Sequence, residues 1–107
     1  VYVDPSGETL VYAVRTAEGW QRETIDHQPP PFGFMTSDTT LVLDAEGTPS
    51  VAYSRWGALQ LATRIEGTWQ IEMVDGSWYF ELYFGLAVDG VGTPHISYMC
   101  GWASQFQ

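Results

Sequence analysis

The sequence contains no lysine and only four arginines, against thirteen aspartate and glutamate residues. Its formal net charge is therefore −9 at pH 7. Such a protein is repelled by the phosphate backbone of nucleic acids and by anionic membrane surfaces. Nucleic acid and lipid head groups are accordingly excluded as expected partners.

Cysteine and long apolar runs are also scarce. Cys100 is the single cysteine, so no internal disulfide can form and a disulfide-stapled scaffold is excluded. The apolar stretches cover only a few residues, whereas a membrane-spanning helix needs about 20. We therefore expect no membrane insertion. The sequence begins at Val1 without a signal-peptide pattern, and we expect it to be a mature or excised piece.

Two internal repeats are the strongest signal in the chain. Residues 41–53, LVLDAEGTPSVAY, recur 45 residues later at 86–98 as LAVDGVGTPHISY. Residues 10–26, LVYAVRTAEGWQRETID, recur 49 residues later at 59–75 as LQLATRIEGTWQIEMVD. The repeat unit is therefore about 45 residues long, with loops of unequal length between the matched parts.

Within one unit the hydrophobic period is two, which is typical of half-buried strands. Trp69, Ile71 and Met73 alternate with Gln70 and Glu72, and no window longer than two turns has a helical period. We expect essentially no helix. One unit accommodates four strands, termed A to D, at 40–44, 50–54, 59–65 and 69–75. The preceding unit supplies the end of B at 1–3, C at 9–15 and D at 20–26. The following unit supplies A at 85–89, B at 95–99 and a start of C at 103–106.

Four short strands in about 45 residues fit a β-propeller blade. The hairpin motif Leu-Asp-x-x-Gly-x-Pro, followed by a strand pair that ends in Trp-x-x-Glu-x-apolar-Asp, resembles the blade repeat of bacterial, mostly extracellular β-propeller proteins. The resemblance implies an all-β fold of four-stranded antiparallel blades in an incomplete ring, located outside the cell or on its surface. One complete blade then spans 39–84, the end of another plus a loop spans 1–38, and a third begins at 85–107.

Trp20 and Trp69 recur with Glu23 and Glu72, and we interpret these residues as packing between neighbouring blades. This interpretation predicts that Trp20 and Trp69 lie at equivalent buried sites.

Catalytic and metal-binding motifs are not found. His27 and His95 have no Cys or second His at ligand spacing, and Cys100 with the distant His95 gives no nucleophile signature. The acidic residues of the turns 44–49 and 89–94 could hold calcium. Turn formation explains the recurring residues better, because the Asp caps its own turn, the Gly adopts a positive φ and the Pro closes the turn. We predict no catalytic residue, no metal site and no cofactor in this chain.

Sequence variation concentrates at one end of the predicted blades. The A–B and C–D turns are short and nearly alike, whereas the D–A and B–C loops are longer, unlike one another and placed together at the opposite end. These loops carry many aromatic side chains, and binding residues commonly lie on loops held by a rigid scaffold. The predicted ligand-binding residues are Phe32, Phe34, Arg55, Trp56, Trp78, Tyr79 and Trp102. The alternative is that Trp78, Tyr79, Phe80, Tyr83 and Phe84 seal adjacent blades.

Aromatic rings beside acids and an arginine suit a sugar or a peptide. The sequence thus predicts a module that binds a carbohydrate or a protein. An alternative is a fragment of a polysaccharide-active propeller enzyme, a glycoside hydrolase or lyase, whose catalytic residues lie on other blades; a purely structural array is a third. Further partners are other blades of the same propeller or further copies of the chain.

About 2.4 repeat units per chain would give about five blades from two copies and about seven from three.

Overall fold

The computed structural model describes residues 1–3, 9–27, 39–55, 58–76 and 81–101. These ranges contain no helix, and thus no helix that could span a membrane. They contain nine strands: β1 (Tyr2–Val3), β2 (Thr9–Thr16), β3 (Gly19–His27), β4 (Thr39–Leu43), β5 (Pro49–Arg55), β6 (Ala58–Ile65), β7 (Thr68–Asp75), β8 (Glu81–Val88) and β9 (Pro94–Gly101).

The strands form three antiparallel sheets in sequence order. Sheet 1 is β1-β2-β3, sheet 2 is β4-β5-β6-β7 and sheet 3 is β8-β9. The predicted all-β class is confirmed, and sheet 2 contains the predicted strands A to D with ends shifted by one residue. Two differences are larger, since β8 begins at Glu81, four residues before the predicted strand, and β9 ends at Gly101, two residues after the predicted end. The predicted strand at 103–106 lies outside the described residues.

The β4–β5 turn has the structure that its sequence predicted. Asp44 Oδ1 accepts hydrogen bonds from the backbone N–H groups of Glu46 at 2.8 Å and Thr48 at 2.9 Å, and Gly47 has a φ of 85°. Asp89 repeats this arrangement with the N–H groups two and four residues ahead, at 3.0 and 2.9 Å. The aspartate in each repeat therefore caps its own turn, which joins the two strands with minimal length.

A one-residue bulge recurs at the same position of two hairpins. On β3, Asp26 pairs with Leu10 and Thr24 with Val11, so Ile25 is the extra residue. On β7, Val74 is the extra residue in the same way. Side chains three residues apart on a regular strand point to opposite faces, and a bulge reverses this alternation. Glu23 and Asp26 therefore lie on one face of sheet 1.

Sheets 1 and 2 pack face to face around a small apolar core. Leu10 and Ile25 of sheet 1 meet Val51, Tyr53 and Ala62 of sheet 2, and all five side chains are buried. Both sheets contribute to this core because each turns one set of alternating apolar positions toward the other.

The prediction of equivalent buried sites for Trp20 and Trp69 is wrong, because Trp69 is only partly buried and Trp20 is exposed. The two residues do occupy equivalent register positions, since Trp20 pairs with Arg15 and Trp69 with Arg64. Trp69, however, packs against sheet 1, whereas 59% of Trp20 is exposed. The reason is that Trp20 lies on the face of sheet 1 that points away from sheet 2.

The β6–β7 turn supplies a stability prediction. Glu66 and Gly67 both have positive φ, 53° and 80°, and this conformation is unfavourable for most residues but tolerated by asparagine. Glu66→Asn should therefore raise the free energy of unfolding by about 0.5–1 kcal/mol in urea denaturation. Glu18→Asn in the β2–β3 turn is the matched control, because Glu18 has no positive φ. Equal effects of the two substitutions would contradict the prediction.

Candidate functional site

The connections from one sheet to the next lie at one end of the sheets. In sheet 2, Thr39 pairs with Tyr53, Ser54 with Leu59, and Leu59 with Asp75, so these four strand ends lie side by side. Segments 28–38, 56–57 and 77–80 join the strands at this end, which we call the connection end. The capped β4–β5 turn and the β6–β7 turn lie at the opposite end. The connections from one sheet to the next therefore lie at the predicted end. The prediction that the B–C loops are long is wrong for sheet 2, because the β5–β6 connection comprises only residues 56–57, whereas the β4–β5 turn comprises residues 44–48.

An acidic residue of sheet 1 holds two side chains of sheet 2 at the connection end. The Tyr53 hydroxyl donates a hydrogen bond to Asp26 Oδ2 at 2.7 Å. The Arg55 Nε atom lies 3.8 Å from the same oxygen. We call these three residues the Asp26 cluster. The two residues that contact Asp26 differ in exposure, since Tyr53 is buried while 40% of the Arg55 side chain is exposed.

Burial of the Tyr53 ring fixes the role of its hydroxyl. Burial, followed by the hydrogen bond to Asp26, raises the pKa of Tyr53 far above its ordinary value. The hydroxyl therefore remains protonated at neutral pH and serves as a donor. Because the described residues contain no buried side-chain polar atom without a partner, this contact between sheets is satisfied as well as buried.

A second acid of sheet 1 forms the Glu23 cluster with Arg64 and Trp69. Arg64 binds the Glu23 carboxylate through two parallel hydrogen bonds, Nε to Oε1 at 2.9 Å and Nη2 to Oε2 at 2.8 Å. The Trp69 indole Nε1–H also donates to Oε1, at 2.9 Å. The Trp69 ring meets the Tyr12 ring edge-to-face, with centroids 5.3 Å apart. Two-point binding of this kind fixes orientation as well as distance.

The charges of the Glu23 cluster reinforce one another. The hydrogen bond from Arg64 is the main reason that the pKa of Glu23 is lowered, with a smaller contribution from Trp69, while partial burial acts in the opposite direction. The same bond raises the pKa of Arg64. Glu23 is therefore ionised and paired at neutral pH.

The contact between Tyr and Asp recurs in the next pair of sheets. The Tyr98 hydroxyl of sheet 3 donates to Asp75 Oδ2 of sheet 2 at 2.8 Å. Tyr98 and Asp75 are the repeat equivalents of Tyr53 and Asp26. The sequence had indicated packing between sheets for Trp20, Trp69, Glu23 and Glu72. The Glu23 cluster confirms it for Glu23 and Trp69, whereas Trp20 and Glu72 are exposed. The sequence interpretation missed the roles of Asp26, Tyr53 and Arg64, although all three recur in both copies of the repeat.

Of the seven predicted ligand-binding residues, only Arg55 lies within the described residues. It is the last residue of β5, so it lies at the predicted end of the sheet but in a strand and not in the predicted B–C loop. The other six, Phe32, Phe34, Trp56, Trp78, Tyr79 and Trp102, lie outside the described residues.

The two histidines each contact one polar side chain. His95 Nε2 lies 3.1 Å from Asp89 Oδ2, and His27 Nδ1 lies 3.2 Å from Thr9 Oγ1. The backbone N–H of Thr93 and then the His95 contact lower the pKa of Asp89. In the part of the chain that the structure describes, no three or more His, Cys, Asp or Glu residues are grouped so that they could hold a metal ion.

No protein-family model, curated protein or solved structure was found to match this chain. A functional conclusion therefore depends on the residues and contacts described above.

The Asp26 cluster predicts unequal effects of one substitution in the two repeats. Tyr53→Phe removes a buried donor to a carboxylate and should lower the free energy of unfolding by about 2 kcal/mol. Tyr98→Phe is the matched control, since Tyr98 makes the equivalent bond but 42% of it is exposed, and should cost about 1 kcal/mol or less. Urea denaturation measures both values, and a larger loss for Tyr98→Phe would refute the assignment.

The Glu23 cluster predicts a dependence of stability on pH. Because the pKa of Glu23 is lower in the folded chain, its contribution is complete above the ordinary glutamate pKa of about 4.3 and is lost as pH falls through the lower folded value. Glu23→Gln should therefore be less stable than the native chain at pH 7, and the difference should shrink between about pH 5 and 3. Glu18→Gln, in an exposed turn, is the control. Parallel stability profiles for Glu23→Gln and the native chain would contradict the prediction.

Proposed function

We propose that the chain is part of a β-propeller that acts as a carbohydrate-binding module outside the cell or on its surface, with the ligand at the connection end of the sheets. The Asp26 cluster is the observation that carries this proposal. It places a half-exposed arginine beside a buried tyrosine that joins two sheets, at the end where the chain passes from one sheet to the next. Function commonly resides at such positions.

The propeller arrangement is supported by the way the sheets repeat. Sheet 2 is a four-stranded antiparallel meander, and its neighbours on both sides are built from the same repeat. A tyrosine of each later sheet binds an aspartate on the last strand of the earlier sheet. Successive sheets related by one recurring contact are what blades around a central axis require.

The chemistry of the connection end favours a sugar as the ligand. Asp26 lies within ion-pair distance of the Arg55 guanidinium, and 40% of the Arg55 side chain remains exposed to donate hydrogen bonds to a ligand. Trp56 follows Arg55 directly, and segments 28–38 and 77–80 add further aromatic residues. Aromatic faces for stacking and an arginine for hydrogen bonds are the groups that saccharide rings need.

The proposal predicts which substitutions weaken binding on an array of neutral and anionic oligosaccharides. Arg55→Ala and Trp56→Ala should each reduce affinity by about tenfold or less, because one stacking or hydrogen-bonding contact is worth about 1 kcal/mol. Arg55→Ala should remain folded, since an ion pair at such exposure contributes at most about 1 kcal/mol.

Arg22→Ala is the control, because Arg22 is an exposed arginine in the middle of β3, away from the connection end. Unchanged affinity in Arg55→Ala, or loss of binding on substitution of Glu46 in the β4–β5 turn, would show that the ligand binds elsewhere. If the chain bound no oligosaccharide on the array but did bind a protein, the ligand would be a protein.

A further inference from the structure

The outer face of sheet 1 carries the same donor pair that sheet 2 uses to bind sheet 1. Arg15 and Trp20 are paired across β2 and β3 as Arg64 and Trp69 are across β6 and β7. Both Arg15 and Trp20 are exposed, and among the described residues neither reaches an acid. The outer face of sheet 1 thus presents the two donors of a cluster like the Glu23 cluster, and it lacks the glutamate that would accept their hydrogen bonds.

Sheet 2 presents the complementary half on its opposite face. Glu72 is the repeat equivalent of Glu23, and the Val74 bulge places it on the same face as Asp75. Tyr98 of sheet 3 already binds Asp75, whereas Glu72 is exposed. Glu72 lines an open groove of about 320 Å³ between sheets 2 and 3, together with Leu61, Met73, Val74, Pro94 and Ile96.

The strands of sheets 1 and 3 are also complementary. Sheet 3 has the equivalents of β4 and β5, and within the described ranges no strand pairs with the outer edge of β9. Sheet 1 has the equivalents of β6 and β7, and only the two-residue β1 covers the edge of β2. An open strand edge is a site at which a strand of another chain can add to the sheet.

We infer that β2 and β3 of a second copy of this chain complete sheet 3, displacing their own β1 and bringing Arg15 and Trp20 to Glu72. The attraction between Arg15 and Glu72 selects this arrangement in a chain whose other surfaces repel one another at a net charge of −9. The inference rests on the propeller arrangement in the proposed function and is independent of the ligand.

The pairing register follows from sheet 2. Val51 lies opposite Ala62 and Tyr53 opposite Gln60, so the equivalent pairs between copies are Ile96 with Ala13 and Tyr98 with Val11. In the single chain Tyr2 lies opposite Val11. When β9 of another copy displaces β1, Tyr98 therefore replaces Tyr2 as the residue opposite Val11.

Sedimentation velocity at micromolar concentrations tests the charge pair. The native chain should associate, and Glu72→Arg and Arg15→Glu should each weaken association by about tenfold or more. The double variant, with both charges exchanged, should recover it. Glu46→Arg, an equal charge change in an exposed turn, should have no effect. A native chain that stays monomeric, or a double variant as weak as the single ones, would overturn the inference.

Disulfide trapping tests the register independently. The pair Ser50 and Thr63 in sheet 2 corresponds to His95 and Val14 between copies, so His95→Cys with Val14→Cys, in a Cys100→Ser background, should give covalent oligomers on a non-reducing gel. His95→Cys with Ala13→Cys is the control, because a shift of one residue turns the thiols to opposite faces. Equal cross-linking in both variants, or none in either, would overturn the register.

The two proposals fail separately. A stable monomer that binds oligosaccharides would overturn the proposed association and support the proposed binding function. A chain that associates but binds no oligosaccharide would support the association and overturn the binding function.

Discussion

The structure depends on two carboxylates of β3 that accept hydrogen bonds from the neighbouring sheet. Glu23 binds Arg64 and Trp69, and Asp26 binds Tyr53. The core between sheets 1 and 2 is small, and apolar burial alone has no preferred direction. The carboxylates supply the direction, because a two-point bond to a guanidinium and a bond to a buried hydroxyl are satisfied in only one relative placement of the sheets. Stacking of this kind converts separate sheets into an ordered series.

The bulge at Ile25 makes this pair of contacts geometrically possible. On a regular strand Glu23 and Asp26 would point to opposite faces, and one of them would be directed away from sheet 2. The inserted residue keeps both acids on the same side and adds its own side chain to the core. A feature that interrupts the hydrogen-bond ladder within one sheet therefore creates the connection to the next.

Much of the fold could be predicted from the sequence because the repeat shows each strand twice. Alternating residues such as Trp69, Ile71 and Met73 located the strands, and the Asp-Gly-Pro pattern located the turns. The side-chain contacts between sheets were harder to predict. Strict alternation puts Glu23 and Asp26 on opposite faces, and the bulge that reverses this has no distinctive residue in the sequence. Trp20 was expected to be buried because its repeat equivalent is a packing residue, but burial depends on a neighbouring sheet and not on the strand itself. Arg55 was located at the correct end of the sheet because its position depends only on where β5 ends.

The shared oxygen of Asp26 has a thermodynamic consequence. Tyr53, which joins the sheets, and Arg55, which faces solvent at the connection end, both lie against the same Oδ2 atom. An anionic group that draws Arg55 away from Asp26 changes the strength of the bond to Tyr53. By linkage, the free energy of that coupling is the same in both directions, so a change that strengthens or weakens the Asp26–Tyr53 bond would alter the affinity of a group bound at Arg55 by the same factor. The contact that holds neighbouring sheets together and the surface open to solvent thus form one linked equilibrium, carried by a single carboxylate oxygen.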